Sequence, residues 1–415
     1  MVSLLYLVLL SGFIFTHGFF YYNGIFILLI ALFFYFLILF NPKYVKKITI
    51  NAGNMYLILS IFSIIIYGGL YQPKSWQFFA SLFLLVLNFL IAVYFLVIIA
   101  KNNWKRNFFL FSLIIMISIR VIMVLSSPDP YIDVYDYLKK GALGFLSFQN
   151  PYSMTYQKLY TDVVPDFYSY LPGMILVTSP FVFIFNDPRY TFIVAEVLSA
   201  ILVYKLKKKS FEREIFSLLI LANPVSPYMI EQSYTEPLLV FYLVFIIWAL
   251  SKKRLFLMSL VTGLGIATKQ YFFLVLPFLL RLLLNSGKIF LFTFRTILFA
   301  LILITPFFLW SVDDFIHDAI LLQYKFPPRY EGLSFFSFLY HLFGFQYNFI
   351  LSIFIIFFLL LIIYLHRKIN VSRFFFLTSF IFFIVFFFNK WAFINYYYFV
   401  AQTLLLSFIF FEERA

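Results

Sequence analysis

Three aspartates stand close together in a polar stretch between hydrophobic segments. Asp129, Asp133 and Asp136, followed by Lys140, are separated by four, three and four positions. If Pro130 opens a helix, that spacing places all four side chains on one helix face. Mutual repulsion could tune one carboxyl for general-base catalysis, or the group could hold a divalent cation such as Mg²⁺ or Mn²⁺. Aspartates are also favoured near the positive end of any interfacial helix, so the spacing leaves both interpretations open.

The composition indicates the class of protein that positions these residues. Of the 415 residues, 64% are hydrophobic and only 12% are charged, and apolar runs recur along the whole chain. Lipid offers no partner to backbone N–H and C=O groups, so each long run must be a helix, and the runs are too continuous for a β-barrel. We predict an all-α, polytopic membrane protein with about 12–14 transmembrane helices. The absence of cysteine excludes disulfides and thiolate metal sites.

The apolar runs and the basic clusters between them predict a topology. The segments are 3–20, 24–40, 55–72, 77–100, 107–126, 172–186, 190–204, 215–230, 235–250, 255–268, 271–284, 289–310, 336–364, 374–388 and 393–411. The net charge of +14 comes from Lys and Arg in short loops, which indicates cytoplasmic loops rather than a nucleic-acid surface. The acidic stretch then lies on the outer face of the cell membrane.

One segment is too short to cross a bilayer. Residues 172–186 include Pro172, Gly173 and Pro180, whereas a span needs roughly 20 residues. We therefore predict that this segment is broken, interfacial or re-entrant. With that topology, Glu231 and Glu236 and the loops 311–335 and 388–395 fall on the same outer side as the aspartates.

Several charged residues lie in or beside apolar runs, where an isolated charge is costly. Glu196 is expected to be a buried partner of a cation. Lys269 and Arg120 could each pair with a carboxylate or meet a lipid phosphate, and Arg120 could also reach outward to the interface.

Residues of the outer loops carry similar alternatives. Glu231 and Glu236 are either a second acidic site or a solvated pair. Arg329, after two prolines, could clamp phosphate or simply contact lipid headgroups. Lys390 precedes a tyrosine-rich run that is either a membrane belt or a surface for lipid chain and sugar.

Short motifs follow the aspartates in order. An aromatic-rich segment with Tyr135 and Tyr137 leads to the turn Asn150-Pro151-Tyr152, and then to Tyr170-Leu171-Pro172. Further on, two glycines precede Lys269-Gln270, and the run Arg329-Tyr330-Glu331-Gly332-Leu333-Ser334 comes later.

Between about residue 107 and residue 400 these motifs resemble the GT-C superfamily of integral-membrane glycosyltransferases, especially its polyprenyl-phosphate-sugar-dependent, mannosyltransferase-like branch. The two glycines, Gly263 and Gly265, look like that superfamily's Gly-rich helix before a lysine. The chain departs from the pattern at Phe148-Gln149, which replaces the usual glycine before the Asn-Pro-Tyr turn.

The resemblance implies inverting transfer of a hexose, mannose before glucose, from a polyprenyl-phosphate donor to a glycan, glycolipid or protein acceptor on the outer face. Asp133 is the expected general base, and Asp136 and Asp129 are the alternative bases or, with Asp133, metal ligands. A cation should stabilise the departing phosphate. The candidates for that role are Lys269, Arg329, Lys325 and Arg120. The expected substrate contacts are Tyr137, Asn150, Tyr152, Tyr170, Glu231, Glu236, Gln270 and Lys390.

The same resemblance divides the chain into three parts. Residues 1–106 would form N-terminal transmembrane helices, and residues 107–310 a GT-C-like catalytic core with the outer loop 127–171. Residues 311–415 would supply the outer loop 311–335 and the C-terminal transmembrane helices. Long ordered loops on a rigid scaffold are where function concentrates.

Two other functions remain open at this stage. A transporter or flippase of lipid-linked saccharides would also be polytopic, but it would usually show pseudo-symmetric halves and charges along a midplane path. A membrane scaffold would not need several polar loops on one face. The acidic stretch and the ordered motifs favour the enzyme.

Overall fold

The computed structural model describes residues 1–40, 50–65, 74–101, 108–156, 166–208, 210–364 and 369–411. Within these ranges the regular structure is helical and contains no strand. A single isolated antiparallel bridge joins Phe19 to Gly332. The predicted all-α class is therefore confirmed.

The α-helices in chain order are α1 Val2–Ile14, α2 Tyr22–Phe40, α3 Ala52–Ile65, α4 Lys74–Lys101, α5 Phe108–Ser126, α6 Asp133–Leu146, α7 Pro172–Phe185, α8 Arg189–Leu206, α9 Phe211–Leu219, α10 Ser226–Glu231, α11 Glu236–Ser251, α12 Leu255–Thr268, α13 Leu276–Leu282, α14 Ile289–Trp310, α15 Val312–Ile316, α16 Leu322–Lys325, α17 Phe335–Phe343, α18 Phe349–Tyr364, α19 Val371–Phe387 and α20 Ile394–Ile409. Short 3₁₀ turns cover Pro151–Ser153, Gln270–Val275 and Leu284–Ser286, and a π-helical turn covers His317–Leu321.

Three helices in the described part of the chain, α2, α5 and α14, are long and apolar enough to cross a membrane. Other apolar helices have 10–17 residues. At 1.5 Å per residue, helices of that length fall short of the roughly 30 Å hydrocarbon core. These findings indicate a helical membrane protein, while the total of about 12–14 spans and the sidedness of the loops stay predictions.

Several predicted segments are divided or begin differently in the structure. The segment 336–364 is divided into α17 and α18, because Gly344 takes a left-handed φ of +66° and ends α17. The segment 215–230 is divided into α9 and α10 around Asn223-Pro224, since a residue before proline disfavours helix. The segment 271–284 begins as a 3₁₀ turn before α13. The segment 172–186 corresponds to the 14-residue α7, which continues through Pro180, so the expectation that this segment is broken is wrong, and its interfacial or re-entrant placement stays a prediction.

The chain forms two compact units, neither of which is continuous in sequence. Unit 1 comprises 1–51, 274–289 and 327–415, and unit 2 comprises 52–273 and 290–326. These units cut across the three predicted parts of the chain, and the boundary predicted at 106/107 lies outside the described residues.

Unit 1 has an aromatic core. Helix α19 packs on α20 and α18, while α1 packs on α2 and α20. Tyr35 stacks on Phe380 with ring centroids 4.8 Å apart, and its hydroxyl is 2.6 Å from the Ser379 hydroxyl. The phenylalanine-rich run of α19 is therefore mostly buried inside the protein rather than facing lipid.

Unit 2 holds the polar stretch on a group of packed helices. Helix α8 contacts α5, α7, α9 and α11, while α7 also contacts α6 and α12. Helix α14 instead leaves most of its apolar side chains exposed, as Leu301 and Ile302 illustrate. Such a surface suits lipid.

A buried ion pair joins α5 to α8 within unit 2. Arg120, which is 1% exposed, donates from Nε to Glu196 Oε2 at 2.5 Å and from Nη2 to the Ser226 hydroxyl at 2.7 Å. Further donations go to the backbone oxygens of Met116 and Leu221, both at 2.9 Å. The expectation that Glu196 is a buried partner of a cation is confirmed.

We predict that Glu196→Gln lowers stability by about 3–5 kcal/mol, because the Arg120 charge is left buried without a counter-charge. The double change Arg120→Met with Glu196→Leu should recover most of that loss, since well-packed apolar residues carry no desolvation penalty. Thermal unfolding of the purified proteins in one detergent provides the measurement. A double variant that unfolds at or below the midpoint of Glu196→Gln would contradict this account.

Candidate functional site

Helix α6 begins at Asp133, three residues later than a helix opened by Pro130 would. Ile132 is extended, with φ −145°, and precedes the helix as its N-cap. Asp129 is exposed and lies before the helix. The prediction that all four side chains share one helix face is therefore wrong for Asp129. The chain turns at 130–132, where the Ile132 N–H donates to the Pro130 carbonyl at 2.9 Å.

Asp133 and Asp136 both occupy the first turn of α6, where the helix dipole favours negative charge. Asp133 is half-buried, and its Oδ1 accepts a hydrogen bond from the Val134 N–H at 2.8 Å. Asp136 is buried and pairs with Lys140 at 2.9 Å. Of the three aspartates, Asp133 combines a fixed position on the helix with partial exposure.

A divalent cation does not fit these carboxylates well. Among the described residues no group of three or more His, Cys, Asp or Glu side chains could hold a metal ion. In addition, Asp136 already has a cationic partner in Lys140. We therefore derive no chemical step through a metal.

The chain leaves α6 through a strained turn. Phe148 is 90% exposed and has a φ of +57°, in the left-handed region that glycine adopts without strain. Phe148 is the first residue of the pair Phe148-Gln149 that replaces the expected glycine. The side chain of Asn150 then accepts a hydrogen bond from the Tyr152 N–H at 3.1 Å and caps the 3₁₀ turn.

The turn connects directly to the start of α7. The Tyr152 hydroxyl donates to the Tyr170 carbonyl at 2.8 Å, and its ring packs edge-on against Tyr168. Gly141 lets α6 approach this group, because a Cβ there would lie 2.6 Å from the Tyr168 ring. Tyr137 is buried on the same side and contacts Tyr156 and Phe167.

A second buried ion pair lies where α11 begins and α12 ends. Lys269 Nζ donates to Glu236 Oε1 and to the Thr235 hydroxyl, each at 2.7 Å. The same Nζ lies 5.4 Å from the centre of the Tyr170 ring and 5.3 Å from that of Tyr271. Two residues that the sequence suggested separately, Lys269 and Glu236, thus form one pair beside a third, Tyr170.

Close backbone contact brings the Tyr170-Leu171-Pro172 motif and the Lys269-Gln270 motif together. A Cβ at Gly173 would lie 2.7 Å from the Ala267 carbonyl, so only glycine allows α7 to approach the end of α12 this closely. Gln270 completes the contact by donating to the Ser169 carbonyl at 3.2 Å and to the Ala319 carbonyl at 3.1 Å. The loop 166–171 is therefore held from both sides.

Glu231 and Arg120 are not available to a substrate in this structure. Glu231 is fully buried and accepts a hydrogen bond from the Ser127 hydroxyl at 2.8 Å. The interpretation of Glu231 and Glu236 as a solvated pair is wrong, since both are buried. Arg120 is enclosed by its own network, so we remove it from the phosphate candidates.

The remaining cations are distributed over both units. Lys325 is exposed at the end of α16 in unit 2. Within unit 1, Arg329 is paired with Glu331 and lies 5.2 Å from the Phe393 ring centre. Lys390 is buried beside Trp391, and this burial lowers its pKa to about 8. Phosphate binding by these three residues stays a prediction.

The sequence did not single out Arg189, which positions the start of the polar stretch. This fully buried side chain pairs with Asp187 at 2.6 Å and donates to the Ser127 carbonyl at 2.8 Å. It also covers the Tyr135 ring at 5.1 Å. The signal in the sequence that could have identified Arg189 is its charge at the first position of the apolar helix α8.

The loop 311–335 contributes two carboxylates that the sequence analysis did not select. Asp314 accepts hydrogen bonds from the hydroxyls of Ser153 and Ser311, which lower its pKa. Asp318 is 1% exposed, lies in the π-helical turn, and accepts from the Tyr168 N–H at 2.7 Å. His317 contacts the other oxygen of Asp318 at 3.0 Å. π-Helical turns are frequent at functional sites, but they cannot be recognised from a sequence alone.

Burial raises the pKa of Asp318 to about 6, although the hydrogen bonds from Tyr168 and His317 act in the opposite direction. Desolvation disfavours the charged form and therefore outweighs two favourable contacts.

No protein-family model, curated protein or solved structure matches the chain. The superfamily resemblance consequently rests on the motifs alone.

The raised pKa of Asp318 predicts a pH-dependent stability. Because the pKa of about 6 in the folded protein exceeds the ordinary aspartate pKa of 3.8, the contribution of this group to stability is full below pH 4 and is lost as pH rises through 6. At about 1.4 kcal/mol per pKa unit, the loss is about 3 kcal/mol. Asp318→Asn should remove it, so the variant should gain stability relative to the wild type between pH 4 and pH 7.

Thermal unfolding at several pH values measures this difference. Asp313→Asn is the matched control, because Asp313 is an exposed carboxylate of the same loop. A difference between Asp318→Asn and the wild type that does not change with pH would exclude the proposed cost of burying this charge.

Proposed function

We propose that the chain is a membrane glycosyltransferase of the GT-C type. It transfers a hexose, mannose in preference to glucose, from a polyprenyl-phosphate donor to a hydroxyl of a glycan, glycolipid or protein acceptor. The reaction takes place on the outer membrane face and inverts the anomeric centre.

One observation carries the proposal. The Tyr-x-Pro motif at Tyr170 and the lysine that follows the Gly-rich helix α12 lie about 100 residues apart in sequence, yet Lys269 Nζ lies 5.4 Å from the Tyr170 ring centre. The resemblance points to both motifs from the sequence alone. Their contact supports a common site in unit 2.

Asp133 acts as the general base in this proposal. Its carboxylate takes the proton of the acceptor hydroxyl while the oxygen attacks the anomeric carbon. The bond between that carbon and the phosphate oxygen breaks, and its electron pair stays on the phosphate. Attack from the face opposite the leaving group gives inversion. Asp136 is less suited because it is buried and paired with Lys140.

The buried pair of Lys269 and Glu236 supports the reaction by position. Fixed charges in a water-poor site stabilise developing charge without reorganising. Lys269 contacts the ring of Tyr170 and so helps to position the loop 166–171. The exposed Lys325 of the same unit is the candidate for direct contact with the departing phosphate.

We expect Asp133→Asn to reduce sugar transfer by about 10²–10⁴-fold, because the amide cannot accept the acceptor proton. Transfer of radiolabelled sugar from polyprenyl-phosphate-mannose and polyprenyl-phosphate-glucose into membrane glycans, by the purified protein, is the measurement. Asp166→Asn is the matched control, since Asp166 is an exposed carboxylate of the same loop.

Addition of EDTA tests the dependence on Mg²⁺ or Mn²⁺ in the same assay. Full turnover by a folded Asp133→Asn protein would refute the role of Asp133. No transfer by the wild type from either donor would refute this donor class and favour a transporter of lipid-linked saccharides.

A further inference from the structure

An open groove in unit 1 takes no part in the chemistry proposed above. Its volume is about 410 Å³, within the roughly 300–1,000 Å³ of small-molecule sites. Its lining residues are Phe19, Phe20, Tyr21, Tyr330, Glu331 and His341.

Backbone hydrogen bonds fix the two walls of the groove. The Phe20 N–H donates to the Glu331 carbonyl at 2.7 Å, and the Leu333 N–H donates to the Gly18 carbonyl at 3.1 Å. Gly18 has a φ of +76° and touches the backbone of Ile394, so the turn requires glycine. The site is therefore preformed and does not need a ligand to order it.

The rings of the groove are held in defined orientations. Tyr330 stacks on Tyr340 with ring centroids 3.8 Å apart, and its hydroxyl accepts a hydrogen bond from the Tyr347 N–H at 2.9 Å. Phe20 stacks on His341 at 4.2 Å. Tyr21 remains 60% exposed, which leaves a ring face for a ligand.

Two polar side chains, Glu331 and His341, line the groove together with these rings. The Glu331 side chain is 47% exposed, and its carboxylate accepts from Arg329 while retaining lone pairs for other donors. His341 Nε2 lies 3.1 Å from the Tyr330 carbonyl, which can only accept, so Nε2 carries a proton. In the neutral imidazole Nδ1 is then an acceptor.

We propose that this groove binds a saccharide, namely a sugar unit of the acceptor glycan, an inference that rests on the proposed glycosyl transfer. A pyranose offers C–H groups on one face and hydroxyl donors at its edge. The C–H face suits the electron-rich face of an aromatic ring, and the hydroxyls suit the Glu331 carboxylate and His341 Nδ1. An acyl chain would cover these acceptors without offering a donor to their remaining lone pairs.

Binding of mannotriose and maltotriose to the full chain in nanodiscs tests the inference, by saturation-transfer NMR and titration calorimetry. We expect wild-type binding, and a loss of about three- to tenfold in affinity for Tyr21→Ala and for Glu331→Gln, as expected for one aromatic or hydrogen-bonding contact. Phe343→Ala, an exposed ring of the same unit outside the groove, is the matched control.

Absence of binding for both trisaccharides, or equal affinity in both groove variants and the wild type, would overturn the inference. Asp133→Asn separates it from the proposed function, since this variant should lose transfer but bind the trisaccharides normally. Transfer without binding contradicts only the groove, whereas binding without transfer contradicts the enzyme and leaves the groove as a saccharide site without an acceptor role.

Discussion

A charge among apolar helices must be accompanied by a partner, because neither lipid nor a packed core solvates an isolated ion. Among the described residues of unit 2, the buried pairs Arg120–Glu196, Arg189–Asp187 and Lys269–Glu236 meet this constraint. Arg189 and Asp187 are near neighbours in sequence, whereas Arg120–Glu196 and Lys269–Glu236 join residues 76 and 33 positions apart. The helices can therefore pack only in arrangements that bring these partners together.

The pairs differ in what they contact. Arg120 and Glu196 satisfy each other together with Ser226, and the pair fixes α5 to α8. Arg189 instead reaches backbone oxygens at the end of α5 and so determines where the polar stretch begins. Lys269 faces two tyrosine rings as well as Glu236. This last pair adjoins Tyr170, at the start of the Tyr-x-Pro motif.

Glycines and backbone contacts complete this arrangement. Gly141 and Gly173 lie where a neighbouring segment comes so close that a Cβ atom would clash with it. Gln270 ties the loop 166–171 to the π-helical turn His317–Leu321, in which Asp318 also accepts the hydrogen bond from the Tyr168 N–H. Residues 166–171 are consequently positioned by contacts from several directions, as a binding or catalytic loop requires.

Composition and periodicity in the sequence were enough to predict an all-helical membrane protein, its polar loops and the carboxylates of α6, because lipid permits few backbone structures and apolar runs reveal them. They also predicted that Glu196 pairs with a cation. Local patterns did not predict that α6 begins at Asp133, since a turn at 130–132 competes with the helix that Pro130 would open. The pairing of Lys269 with Glu236, the burial of Asp318 and the groove at Tyr330 depend on segments that are distant in sequence. Only tertiary packing decides which of those segments meet, and therefore which charges are buried and which face solvent.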